Sequence, residues 1–261
     1  MRAAGGSDWR DQGMNMTKGK LYVVGIGPGN YENMTLRAIR ALEESDVIAG
    51  YTLYCNLVKD RFPDKEYIVT AMTGEEKRVE MAADAAAGGR TVSLICSGDP
   101  GVYGMAGLAI AKASKYGNVS VEVIPGVTAA LSGAALLGAP LVHDFCVISL
   151  SDRLTPAEVI AKRLRLAAEA DMGIVIYNPE SRSRSGYLKK ACQILSEKIE
   201  PDRVCGIAWN IGREGESAQV MTFRELCEFK ADMFSTVFIG SSGTKDIMGS
   251  MVTARGYKSE M

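Results

Sequence analysis

Three short glycine-containing segments carry the residues best suited to chemistry in this chain. They are Gly25-Ile26-Gly27-Pro28-Gly29-Asn30, Ser97-Gly98-Asp99-Pro100-Gly101-Val102-Tyr103-Gly104 and Pro125-Gly126-Val127-Thr128-Ala129-Ala130. Glycine lets a ligand approach the backbone with no Cβ in the way. The first segment meets the dinucleotide fingerprint only in part. Asn30 stands where the third glycine is required, Gly50-Tyr51 where the second strand should end in an acidic residue, and Pro28 removes a backbone donor. An NAD or FAD site, a structural tight turn and a glycine-lined site for another ligand are its three readings. The Asp99 carboxylate suits a ligand amine or ribose, or else caps a helix beginning near Tyr103. Thr128 reads likewise as a ligand contact or a capped helix start. His143, the one histidine, is either a structural hydrogen-bonding residue or an acid/base group, since its ordinary pKa lies near neutrality. Phe145, the methionines and the scattered tyrosines read as core and cleft wall.

Positioning these residues requires regular elements. Lys20 to Ile26 is a β-branched run that ends in the first glycine turn, and an amphipathic segment follows from Thr35 to Glu44. Further strands are expected at Asp46–Ala49, Thr91–Cys96 and Val119–Ile124, with helices at Glu75–Ala87, Tyr103–Lys115 and Val127–Leu137. Such alternation implies crossovers and a mostly parallel sheet covered on both faces. After Gly138-Ala139-Pro140 a second series opens. It comprises strand Asp144–Leu150, helix Thr155–Glu169, strand Gly173–Tyr177, helix Gly186–Ile199, strands Arg203–Trp209 and Ala218–Thr222, helix Phe223–Phe229 and strand Ser235–Ile239. Consecutive strands around Gly212–Glu216 make part of this second sheet antiparallel. The expected organisation is a flexible extension over residues 1–19, α/β domains over 20–142 and 143–255, and a tail over 256–261, with a cleft between the domains. Residues 1–18 read as an extension or a late-start artefact, with Met14 or Met16 as alternative starts.

Composition narrows the function. With 47% hydrophobic and 23% charged residues the chain reads as soluble and globular, and a net charge of -1 offers no global field for a phosphate backbone. The most apolar stretch, Ala129 to Leu141, is too short and too broken by Gly133, Gly138 and Pro140 for a membrane span. The six cysteines form no CxxC pair and read as buried reduced thiols of a cytoplasmic protein; no spacing suggests a metal site.

Taken together, the three loops resemble those of the tetrapyrrole methylases, and the likeness runs from Lys20 to about Arg255. Gly50-Tyr51-Thr52-Leu53-Tyr54, the Ser97–Gly107 stretch, His143-Asp144-Phe145 and Tyr177-Asn178-Pro179-Glu180-Ser181-Arg182-Ser183-Arg184 are most similar to the family's precorrin-3B (or cobalt-precorrin-3) C-17 methyltransferases. The resemblance implies a methyltransferase of cobalamin biosynthesis that methylates the macrocycle and contracts its ring, with S-adenosylmethionine as donor and S-adenosylhomocysteine as product. It implies cofactor contacts at Pro28, Ser97, Gly98, Asp99, Val102, Thr128, Ala129, Asn178, Asn210, Ile211 and Gly212. A polycarboxylate substrate would meet the loops at Gly25, Gly27, Gly29, Arg182, Arg184 and Arg213, where guanidinium forks suit acetates and propionates unless they belong to solvated helix starts. Tyr51 stands where several relatives carry a proton-handling aspartate, so Tyr51 and His143 are the catalytic candidates. The resemblance also implies a homodimer, while the net charge and the short apolar runs argue against nucleic acid and membrane as partners. A nucleotide-binding oxidoreductase and a non-catalytic metabolite-binding module are the alternatives outside the class; methylases of other tetrapyrrole positions, RNA or protein side chains are those within it.

Overall fold

The computed structural model describes residues 18–181 and 185–257. The chain divides into two interleaved compact units. Among the described residues the first holds 18–24, Ile39–Cys96 and Met105–Ile124; the second holds Gly25–Ala38, Ser97–Gly104 and everything from Pro125.

Strands β1 (Gly19–Gly25), β2 (Val47–Tyr51), β3 (Glu66–Thr70), β4 (Thr91–Cys96) and β5 (Val119–Ile124) form one sheet in the order β3-β2-β4-β1-β5. The pairs β2–β3, β2–β4 and β1–β5 are parallel. Helices α1 (Leu36–Glu44), α2 (Thr52–Lys59), α3 (Glu75–Ala87) and α4 (Ala106–Ala113) connect the strands. Val47, Ile48 and Ala49 are buried in succession, as a strand covered on both faces requires. The three glycine segments follow β1, β4 and β5, which are neighbours in the sheet, so topology alone draws the loops together.

The second unit contains α5 (Ala129–Leu137), β6 (Gly138–Ala139), β7 (Phe145–Ser149), α6 (Ala157–Glu169), β8 (Gly173–Tyr177), α7 (Tyr187–Leu195), β9 (Val204–Trp209), β10 (Ser217–Thr222), α8 (Phe223–Glu228) and β11 (Ser235–Ile239). A hairpin of β12 (Thr244–Ile247) and β13 (Ser250–Thr253) follows and pairs through β13 with β6. The main sheet runs β10-β9-β11-β8-β7. Its β7–β8 pair is parallel and its other pairs are antiparallel, in line with the expected mixed character. Central β11 is buried along its whole length.

Several expected boundaries move for local reasons. The helix expected from Tyr103 begins at Ala106, because Tyr103 has φ +53° and a left-handed residue cannot start a helix. Gly186, at φ +78°, likewise leaves α7 to start at Tyr187. Helix α2, strand β3 and the β12–β13 hairpin were not anticipated; β3 presents a mixed, half-exposed pattern without clean alternation. The cysteines are free thiols, four buried and two half-buried, and burial pushes the Cys55 thiol up to about 11. No helix among the described residues is long and apolar enough to cross a membrane.

Helix α5 carries a packing constraint that gives a test. A Cβ on Gly133 would lie 2.8 Å from Phe238 Cζ and 3.0 Å from Ile211 Cδ1, both on buried residues. Gly133→Ala gains about 1 kcal/mol of helix propensity and loses about 1–3 kcal/mol to overpacking. We expect calorimetry to show a melting temperature lower by a few degrees; a rise would mean that the ring yields freely.

Candidate functional site

The second unit gathers all three glycine loops at the level of the backbone. Gly27 and Gly98 exchange two main-chain hydrogen bonds, Gly27 N to Gly98 O at 3.2 Å and Gly98 N to Gly27 O at 2.7 Å, as an isolated antiparallel bridge. Both sit at positive φ, +73° and +66°, where glycine is the ordinary occupant. A Cβ on Gly25 would lie 2.6 Å from Gly126 N and from Gly98 O, and one on Gly126 only 2.2 Å from Gly98 O. Asp99 ties the second loop to the third: Oδ1 accepts from Gly101 N at 2.7 Å and Oδ2 from Gly126 N at 3.0 Å. The helix-capping alternative for Asp99 is thereby corrected, since α4 starts seven residues later, at Ala106, with Met105 at its N-cap. Its half-buried carboxylate is a clamp between loops.

The loops are then fastened to the β7–β11 body. Arg213 Nε donates to Pro28 O and its NH2 group to Ser97 Oγ, both at 3.3 Å, with the guanidinium 5.8 Å from the Phe234 ring. A Cβ on Gly29 would fall 2.3 Å from Gly212 O, and Gly212 N donates to Glu216 Oε2 at 2.5 Å. The Tyr103 hydroxyl donates to Val147 O (2.9 Å) and accepts from Ser149 N (3.2 Å), so it occupies the open edge of β7. At the end of β8 the Tyr177 hydroxyl accepts from Ala130 N at 2.7 Å and lies 2.5 Å from Thr128 Oγ1. Thr128 holds the N-cap position of α5 without a side-chain cap bond, so a tyrosine from another strand satisfies that helix end. Burial raises the Tyr177 phenol's pKa, against the lowering effect of Thr128 and the Ala130 amide. Asn178 Nδ2 donates to Ser149 Oγ at 2.9 Å. Tyr103 and Tyr177, whose rings are 5.9 Å apart, are thus more than wall, which corrects the reading of the tyrosines.

The second unit contains Pro28, Ser97, Gly98, Asp99, Val102, Thr128, Ala129, Asn178, Asn210, Ile211 and Gly212, and also Gly25, Gly27, Gly29, Arg213 and His143. The Ile211 side chain belongs to the core with Ala130 and Phe238. At Gly25, Gly27 and Gly29 the missing Cβ faces protein, so their first physical role is loop-to-loop contact. His143 is exposed, and its Nδ1 lies 2.9 Å from Asp144 N and 3.4 Å from Asp144 Oδ2. Tyr51 belongs to the first unit as the last residue of β2, edge-on to Tyr54 at 5.2 Å. Arg182 and Arg184 lie outside the described residues.

The donor set fits a cationic, adenosine-bearing ligand: main-chain amides and carbonyls of close-packed loops, one half-buried carboxylate and few other charges. Tyr103, Asn178 and Asn210 all hold positive φ (+53°, +53° and +45°), a concentration of backbone strain of the kind that functional sites retain. Reading the sequence missed Tyr103, Tyr177, Ser149 and Gly126 as fastenings. An aromatic closing a buried strand just before Asn-Pro was the available signal at Tyr177.

Comparison with known proteins agrees with this geometry. Residues 20–227 match the Tetrapyrrole (Corrin/Porphyrin) Methylases. The chain is 44% identical over 238 residues to the "Probable cobalt-factor III C(17)-methyltransferase" of Salmonella typhimurium, covering 91% of this chain and 99% of that protein. It is 40% identical over 231 residues to the "Precorrin-3B C(17)-methyltransferase" of Sinorhizobium sp, covering 87% and 91%. Its fold superposes on the crystal structure of the methyltransferase CobJ with a TM-score of 0.84 and 34% identity, over 90% of this chain and all of that one. The chain therefore belongs to the tetrapyrrole (corrin/porphyrin) methylase family.

Proposed function

We propose that this protein is an S-adenosylmethionine-dependent methyltransferase of cobalamin biosynthesis. It methylates precorrin-3B, or its cobalt form, at C-17 and contracts the ring. The observation that carries this reading is the joining of three glycine loops into one backbone platform, in a chain whose relatives bear that activity in their names. The reading includes a homodimer, as the family resemblance implies, and a cytoplasmic location, which the free cysteines fit.

S-adenosylmethionine, when bound, supplies an electrophilic methyl group on a sulfonium that leaves without acid assistance. The protein's task in that step is alignment and exclusion of water. Pro28, Ser97, Gly98, Asp99, Val102, Thr128, Ala129, Asn178 and the Asn210-Ile211-Gly212 turn would hold the donor. Asp99 fixes the second and third loops together, and Tyr177 holds Thr128 and Ala130 in place. Gly25, Gly27, Gly29, Arg182, Arg184 and Arg213 would meet the macrocycle and its carboxylates. Ring contraction moves protons and rearranges a carbon–carbon bond, so it leans on an acid/base group, with His143 and Tyr51 in that role.

Three outcomes test the reading. Calorimetry should show micromolar or tighter binding of S-adenosylhomocysteine, on the order of 8 kcal/mol, and far weaker binding of NAD. Tight NAD binding with no heat from S-adenosylhomocysteine would contradict it. Asp99→Asn keeps one acceptor and turns an amide group toward a backbone N–H, so affinity for S-adenosylhomocysteine should fall by about 1–3 kcal/mol; unchanged affinity in the folded variant would remove Asp99 from the site. His143→Ala or Tyr51→Phe should leave that affinity nearly intact and slow product formation about 10²-fold or more. Native turnover in both would assign contraction to the substrate's own groups, and a methylated but uncontracted product would place the residue in the second step.

A further inference from the structure

Arg78, on α3 in the first unit, is 3% exposed, and no carboxylate among the described residues forms an ion pair with it. Its Nε donates to Thr70 Oγ1 at 2.8 Å, NH2 to Ala71 O at 3.0 Å and NH1 to Met105 Sδ at 3.4 Å. The guanidinium carbon lies 6.0 Å from the centre of the Tyr51 ring. Each of these partners is neutral, and so is the nearby Cys55, whose thiol burial pushes up to about 11. A guanidinium has five N–H groups, so one on each terminal nitrogen has no partner among the described residues. A buried cation held only by neutral groups is costly, because its desolvation is not offset by an opposite charge. Thr70 and Tyr51 are register partners at the carboxyl ends of parallel β3 and β2, the end of an open α/β sheet where ligands bind. The bonds to Thr70 and Ala71 are partly buried and the bond to Met105 is buried, so the Thr70 and Ala71 contacts lie nearer solvent, beside the exposed Ala71–Thr73 segment.

We propose that Arg78 anchors a carboxylate of the substrate, its two unused N–H groups taking one acetate or propionate side chain. The inference rests on the polycarboxylate macrocycle of the function proposed above, and it adds an anion site in the first unit. An arginine suits this task better than lysine, because its fixed fork meets two carboxylate oxygens at once.

The test compares native protein, Arg78→Met and Arg78→Lys, with cobalt-factor III and S-adenosylhomocysteine as separate probes. We expect Arg78→Met to weaken macrocycle binding at least tenfold, to leave S-adenosylhomocysteine affinity within twofold, and to melt no lower than the native protein. Arg78→Lys should recover part of the macrocycle affinity. Isomers of the macrocycle with a single carboxylate amidated should include one that native protein binds at least tenfold less well, and Arg78→Met should lose that discrimination. Native affinity for the macrocycle in Arg78→Met would overturn the inference while leaving the function standing. If that variant does not fold, equal binding of all mono-amidated isomers by native protein overturns it. Failure of native protein to bind the macrocycle at all would overturn the function and the inference together.

Discussion

The pair of main-chain hydrogen bonds between Gly27 and Gly98 is the constraint on which the rest of the site depends. It joins the loops that follow β1 and β4 so closely that Gly25, Gly98 and Gly126 meet backbone to backbone. A methyl group on Gly25 or Gly126 would overlap main-chain atoms, which no rotamer change relieves, while Gly98 is held to glycine by its positive φ. The glycines therefore shape the site first by letting chain meet chain, and ligand access follows from the platform they build. Asp99 extends the arrangement to the third loop through Gly126 N, a charge-assisted bond of a kind that contributes about 1.5–3 kcal/mol, and holds its own loop through Gly101 N.

Fastening the platform to the second unit's sheet uses side chains that span sequence-distant elements. Arg213 reaches Pro28 and Ser97, Tyr103 completes the edge of β7, and Tyr177 satisfies the first turn of α5. Each meets a backbone group that would otherwise lack a partner at a strand edge, a turn or a helix end. A site fixed in this way suits a reaction in which alignment, not activation of the leaving group, is the protein's main contribution. The strained backbone at Tyr103, Asn178 and Asn210 sits within the same fastenings, which are what hold it there.

Much of the architecture was legible in the sequence because strand–helix alternation and buried β-branched runs are local signals. Asp46–Ala49 and Gly173–Tyr177 read as strands, and the strands Val47–Tyr51 and Gly173–Tyr177 are buried in all but their last residue. The three glycine loops were legible as a set, and the resemblance they carry matches the family. The rest depended on non-local partners. Asp99 looks like a helix cap from its neighbours alone, and only the position of Gly126 reveals the clamp. Tyr103 looks helical until its left-handed backbone and its bond to β7 are seen. The β12–β13 hairpin has strands of four residues each, with β12 exposed beyond its first residue, too short a run for a pattern to be read. Arg78 lies inside an amphipathic helix of exposed glutamates and lysine, where nothing in the spacing distinguishes a buried arginine from a solvated one.

The central claim is that this platform is formed by the protein itself before any ligand binds. Native-state hydrogen exchange of the Gly27 and Gly98 amides, followed by NMR in ligand-free protein, tests it most directly. Each amide donates to the other residue's carbonyl, so both should exchange orders of magnitude more slowly than an unstructured loop, and together, with one opening free energy. Exchange of either amide at the rate of an open chain, with protection appearing only on addition of S-adenosylhomocysteine, would contradict the account.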